Sequence, residues 1–454
     1  MQRIWTTLLI LTLVAAPLRA QEEQPPPATR PAEALPAAPQ PSVEPVPAAP
    51  HGAQPAGSAG YYYSPYGTPP GYDAVAGYFA ATGGRIPNTW AGLWGYGNDC
   101  HLGAVRFEYL MWFSRGRNTP PLVTTSPQTV VDPNQAGVLG LADTDVVYGD
   151  QPIGENMRSG ARITLSRLLA DGGSWLEGRF WGVEDSTERF FAQSNGDPIG
   201  ARPFFNAALG IEDALLVAFP GVATGGSVNV LSKNDMFAAD AWVRGTWCDD
   251  CCTRLDFLLG YQFARIDDYL SINSTLTSID PAAADPINTI VSATDAFGAQ
   301  NQFHGVQLGF IVETRKDCWS LEILGKVGLG NMRQRVVIRG ETVRDPPGAP
   351  PPDETTGGLL ALPSNIGDEH RNEFAVVPEL NINACVNLSP TWKLMAGYTF
   401  IYYSNVVLAG NQIDRAVNLS QVPGPPVGPL RPLFAFNRSD FLIQGMNLGV
   451  EYRW

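Results

Sequence analysis

The stretch that most constrains this chain is its last, Phe441 to Trp454 (FLIQGMNLGVEYRW). Leu442, Met446, Leu448, Val450, Tyr452 and Trp454 share one parity, while Gly445, Asn447, Gly449, Glu451 and Arg453 share the other. Successive side chains of a β-strand point to opposite faces, so the segment has an apolar face and a polar one. Its fourteen residues exceed the roughly 9 to 11 that a tilted strand needs to cross a bilayer. A globular sheet can alternate in the same way. What favours a membrane is that the pattern recurs in antiparallel pairs, with short turns at one end and long loops at the other.

The pairs can be followed along the sequence. Val105, Phe107, Tyr109, Met111 and Phe113 alternate with Ala104, Arg106, Glu108, Leu110 and Trp112 to give a first strand. Segments 162–168 and 175–183 are separated by Ala170-Asp171-Gly172-Gly173, a hairpin signal. Segments 237–247 and 254–266 flank the cysteine-rich turn at 248–252, and Leu255, Phe257, Leu259, Tyr261 and Phe263 form the clearest apolar row in the chain. Segments 303–314 and 319–329 meet at Arg315-Lys316-Asp317-Cys318, and 374–386 and 392–403 at Asn387-Leu388-Ser389-Pro390. The expectation is an all-β fold: a transmembrane antiparallel up-and-down β-barrel of ten strands. Further hairpins in the loops at 184–234 or 267–301 would make it twelve.

Composition divides the rest. Residues 1–20 carry Arg3, an apolar run from Leu8 to Ala16, and Ala20 before Gln21, the pattern of a secretory signal peptide. No other run approaches the roughly 18 apolar residues of a membrane helix. Residues 21–98 are first Pro- and Ala-rich and then Gly- and Tyr-rich, which predicts a disordered periplasmic linker before a barrel at 99–454. The net charge of −14 leaves no basic stripe for phosphates and excludes nucleic acid as a partner.

The polar parity collects Arg106, Glu108, Arg162, Arg179, Asp240, Arg244, Arg254, Asp256, Glu322, Lys326, Glu379 and Lys393 as lumen-facing charges. Both signs are mixed. Barrels of about eight strands are filled by side chains, and ten strands lie near that end, so a cross-lumen ion-pair network is expected in preference to a selectivity filter. A narrow passage for small solutes survives only if water threads the network.

Trp175, Trp247, Trp319, Trp392 and Trp454 fall at the tight-turn ends, where an interfacial girdle belongs. Trp175 breaks the pattern by sharing parity with Glu177 and Arg179. Cys100, Cys248, Cys251, Cys252, Cys318 and Cys385 all fall at the same end, which in an oxidising compartment suggests disulfides, Cys252 to Cys318 among them. A zinc site at Cys248-x-x-Cys251 lacks a second ligand pair, so no metal or cofactor is expected. Asp267, Asp268, His304 and His370 near the loop end offer a weaker hydrolase reading, with no nucleophile elbow or zinc-protease motif beside it. Long loops that bind an outside partner would fit a structural or adhesive barrel equally well.

Two resemblances sharpen the picture. The terminal Tyr452-Arg453-Trp454 resembles the closing signal by which bacterial outer-membrane barrels are recognised by the barrel assembly machinery, with Tyr452 and Trp454 as the recognised aromatics. The segment Cys100-His101-Leu102-Gly103-Ala104-Val105-Arg106-Phe107-Glu108-Tyr109-Leu110-Met111-Trp112, the Gly-rich amphipathic hairpins and the ending Gly445 to Trp454 resemble the beta barrel porin-7 family, BBP7, over roughly Cys100 to Trp454. That resemblance implies an outer-membrane barrel in contact with lipid and a presumed pore, and brings no catalytic residues.

Overall fold

In the computed structural model the described residues are 101–171, 173–250, 252–283, 285–348, 351–422 and 426–454. The segments expected as signal peptide and linker lie outside them, as do Cys100 and Cys251. The strands are β1 (Gly103–Ser114), β2 (Val123–Ser126), β3 (Asp145–Tyr148), β4 (Met157–Leu168), β5 (Ser174–Ser194), β6 (Ile199–Asn206), β7 (Ile211–Ala218) and β8 (Ala223–Asp249). They continue as β9 (Thr253–Ser278), β10 (Ile290–Lys316), β11 (Trp319–Asp345), β12 (Asp353–Thr356), β13 (Gly367–Asn387), β14 (Trp392–Val406), β15 (Ala416–Val417) and β16 (Ser439–Arg453).

Ten of these close a ring. The order is β1-β4-β5-β8-β9-β10-β11-β13-β14-β16, each antiparallel to its neighbours, and β16 returns to β1. Closure leaves the wall without an open edge, the condition for strands to span a bilayer. The seam ends where the backbone N–H of Leu102 donates to the Trp454 carbonyl at 2.7 Å. The four tight connections share this rim, here the turn rim. Two are pinned by aspartates: Asp171 Oδ1 accepts from the N–H groups of Gly173 and Ser174, and Asp250 Oδ1 from those of Cys252 and Thr253. These bonds to the charged form hold the Asp250 carboxyl below the usual carboxylate range.

Outward residues form an apolar belt above the turn rim: Phe107 and Tyr109 on β1, Phe257, Leu259 and Tyr261 on β9, Val306, Leu308 and Phe310 on β10, and Leu394 and Tyr398 on β14 are all exposed. Trp247, Trp319, Trp392 and Trp454 are exposed at its lower edge, a girdle position. Trp175 corrects the expectation. It is 2% exposed, inside the wall, and the Arg244 guanidinium lies 5.8 Å from its ring. The parity it shares with Glu177 and Arg179 is therefore real, and Leu176 takes the outward place.

The strands also run farther than alternation predicts. The loops expected at 184–234, 267–301 and 330–372 are largely continuations of β5, β8, β9, β10, β11 and β13. Past the belt the faces persist while their chemistry inverts: on β9, Leu270 and Ile272 point inward and are buried, whereas Tyr269, Ser271 and Asn273 point outward. A bulge between Val183 and Ser186 shifts the parity of β5 as well.

This upper part of the tube is filled by the loops. β2, β3, β6, β7 and β15 make a second sheet, in which β6 pairs with β2, β7 and β15. The hairpin β6–β7 thus exists, but it joins this insert and leaves the wall at ten strands. Leu122, Val123, Phe204, Val217 and Val417 of the insert pack with inward Val230, Ile272, Phe297 and Ile338 of the wall and with Leu359–Leu362.

Candidate functional site

The lumen below the insert has two layers. Next to the turn rim lies an ionic layer, built because every second residue of each wall strand points inward. Arg106 bonds Glu322 at 2.7 Å and Glu451 at 2.8 Å. Lys393 reaches Glu313 at 3.2 Å and Glu322 at 3.9 Å. Arg244 joins Glu177 at 3.1 Å and Asp256 at 3.2 Å, and Arg254 joins Asp256 at 2.7 Å.

One step deeper, Arg162 makes a bidentate pair with Glu108 at 2.5 and 2.6 Å. Arg179 bridges Asp240 and Glu379, the latter at 2.5 Å, and Lys326 sits between the same two carboxylates at 3.3 and 3.2 Å. The Trp242 ring lies 5.4 Å from both the Arg179 guanidinium and the Lys326 ammonium. Asn383, Asn447, Thr399 and Asn381 connect these groups by hydrogen bonds.

All the charges singled out by strand parity occupy this inner face, and each pairs with an opposite charge. Parity also contained Glu177, Glu313, Glu451 and Arg453, which the expected set left out although the same alternation marks them. Among the described residues, cavities of about 40 and about 30 Å³ lie between these side chains. Neither holds more than a few waters.

Above the ions the lumen is apolar. Leu110, Trp112, Trp181, Met236, Phe303, Met332, Ile401, Tyr403, Phe441 and Ile443 pack together, each about 1% exposed or less. Trp112 and Trp181 meet edge to face at 4.9 Å. These residues come from strands all round the ring, so their side chains span the lumen. Buried pairs then tie the insert to the wall: Arg117 to Asp268, and Arg202 to Asp295 at 2.5 Å. Asp295 also accepts the N–H groups of Leu359, Leu360 and Ala361 at 2.8 to 2.9 Å.

The other candidate sets do not assemble. Asp267 lies on the outer wall with Arg265, while Asp268 is buried inside on Arg117. His304 accepts or donates to the Tyr261 hydroxyl at the belt edge, and His370 sits beside Asp368 on the outside. No common cleft holds the four. Among the described residues no disulfide is made: Cys248 and Cys318 carry unbridged thiols at the turn rim, and Cys252 is exposed on its turn. Cys385 lies two residues from the turn-rim end of β13, as expected, but on its inward parity, where it is buried with its thiol toward the Asn383 carbonyl.

The family profile described as "Putative beta barrel porin-7 (BBP7)" matches residues 105–454. The chain belongs to the BBP7 family. With its closed ring and apolar belt, this BBP7 member is an outer-membrane β-barrel. No curated protein matches it. Among solved structures it is similar to the outer-membrane protease OmpT of Escherichia coli, at 8% identity and a TM-score of 0.37 over 78% of this chain and 96% of that one. It is also similar to the toluene transporter TodX of P. putida, at 7% identity and a TM-score of 0.19 over 84% and 98% of the two chains.

Proposed function

We propose that this barrel is closed to solutes in the state described, and that its loop rim carries its function by binding a partner outside the cell. The observation that carries this reading is the pair of stacked closures: a charge-matched layer with cavities of about 40 and 30 Å³, capped by the Trp112–Trp181–Phe303–Tyr403–Phe441 layer. An ion would have to shed its hydration to pass the second layer. The loops are fused to the wall through a common core, and a rigid base suits a binding surface. Exposed Leu209, Ile211, Val427 and Leu430 lie on these loops.

In this reading Met1 to Ala20 directs export, the turn rim faces the periplasm, and Tyr452 and Trp454 serve recognition by the assembly machinery. The barrel performs no hydrolysis. A narrow pore for small solutes is the second reading, and one feature favours it: the cavities of about 40 and about 30 Å³ among the lumen charges are polar and large enough for water. Swelling of proteoliposomes in small sugars separates the two. The closed barrel gives the rate of protein-free vesicles; faster swelling with the smallest sugars returns the account to a pore.

A further inference from the structure

We propose that the outer wall of β9, β10, β11 and β13 binds the phosphate headgroup of an anionic membrane lipid, centred on Arg333. On these strands the belt ends near Phe263, Val306, Leu329 and Phe374. Just beyond it Arg265, Gln302, Arg333 and Asn372 stand side by side, because the register pairs Gln302 with both Arg265 and Arg333, and Arg333 with Asn372. All four point outward, on the parity of the belt residues below them.

Lipid that packs its tails on the belt must place its headgroup at this row. Arg265 is paired with Asp267, and one step higher Arg335 is paired with Asp368. Arg333 is exposed, and among the described residues no hydrogen bond or ion pair involves it. A planar guanidinium with five donors matches a phosphate bidentately, and the amides of Gln302 and Asn372 flank it with further donors. Elsewhere on the belt edge the outward charges are of both signs: Asp185 on β5 is paired with Lys233 on β8 at 2.6 Å, Asp235 and Asp440 point outward, and Arg115 is exposed just past β1. What marks this sector is an unpaired guanidinium between two amides in one register row.

The site rests on the belt and is independent of whether the lumen conducts. Native mass spectrometry of the full chain, released from detergent micelles doped with phosphatidic acid or phosphatidylcholine, reads it directly. Wild type should retain phosphatidic acid in preference to phosphatidylcholine. Each cation near a membrane surface contributes on the order of 1 kcal/mol, so Arg333→Gln should weaken retention about fivefold. Asn372→Asp, which sets a carboxylate beside an intact Arg333, should weaken it similarly, whereas Arg189→Gln on β5 should not. Heat-dependent gel migration confirms that each variant is folded, and Asn372→Asp serves should Arg333→Gln fail to fold. Equal retention of both lipids, or unchanged retention in either row variant, would overturn the proposal. So would competition by glycerol 3-phosphate at the concentration of the lipid, which would mean a site for soluble phosphate.

Discussion

Arg179→Ala probes the ionic layer where it is most deeply buried. The side chain is 3% exposed and both of its carboxylate partners 0%. Its Nε and Nη2 donate to Asp240, and Nη1 and Nη2 donate to Glu379 at 2.5 and 2.7 Å. Deleting it leaves two carboxylates facing Lys326 alone, so a neutral set of two cations and two anions becomes one with an excess negative charge. Removing one partner of a buried pair costs about 3 to 5 kcal/mol, because the penalty is the stranded charge. Removing the strand of charge should then restore part of the loss: Arg179→Ala with Glu379→Gln should be more stable than Arg179→Ala by itself, a coupling that a double-mutant cycle measures. Arg335→Ala is the control. Its pair with Asp368 is more than 40% exposed on both sides, and its loss should leave the midpoint where it was. Urea titration of folding into lipid vesicles supplies the numbers. A loss under about 1 kcal/mol for Arg179→Ala, or no recovery in the double variant, would refute buried pairing as the organising force of the lumen.

Four further outcomes rest on the same geometry. Leu259→Arg, on a side chain 61% exposed to lipid, should cost about 2 to 4 kcal/mol if it lies at the midplane, read by the same titration. Gln262→Arg puts a longer side chain on the inward parity, where the site is filled: Gln262 is 0% exposed and a Cβ at Gly328 would stand 2.3 Å from its Oε1. Overpacking there should add about 1 to 3 kcal/mol, so only a cost near zero would indicate an open lumen. A membrane-impermeant maleimide should label Cys248 only after the outer membrane is permeabilised, and Cys385 only after unfolding; labelling of Cys248 in intact cells would invert the assigned sidedness. Deleting Trp454, whose carbonyl accepts from Leu102, should lower assembled barrel in cells far more than refolding in detergent, and equal effects would leave it a seam residue only.

The wall was legible wherever the membrane imposes its own pattern. Apolar-out alternation in 105–113, 254–266 and 441–454 marks strands because lipid demands it, and the inward charges come with the same parity. The pattern is lost where that demand ends. Beyond Arg265 the outward side chains meet water and the inward ones meet the insert, so Leu270 and Ile272 carry the opposite code to Phe257 and Leu259 on one unbroken strand. Read with a single polarity, such a strand looks like a loop. Trp175 shows the converse: the aromatic was assigned to the girdle by its position, and its parity with Glu177 and Arg179 was the better guide. The ionic layer was legible from parity, but the apolar layer above it was not, because Trp112, Trp181, Phe303 and Tyr403 lie on four strands and meet only in the ring. The pair of Arg202 with Asp295 likewise joins a loop hairpin to the wall across a long separation that no local pattern encodes.

Single-channel recording in planar bilayers tests the closed lumen most directly. Wild-type protein, shown to be folded by its gel migration, should insert and give no discrete conductance steps, whereas Trp112→Ala with Phe303→Ala, which removes two spanning rings from the apolar layer, should open steps in the same membrane. Regular, discrete openings from the wild type would contradict the account and make the interior a pore.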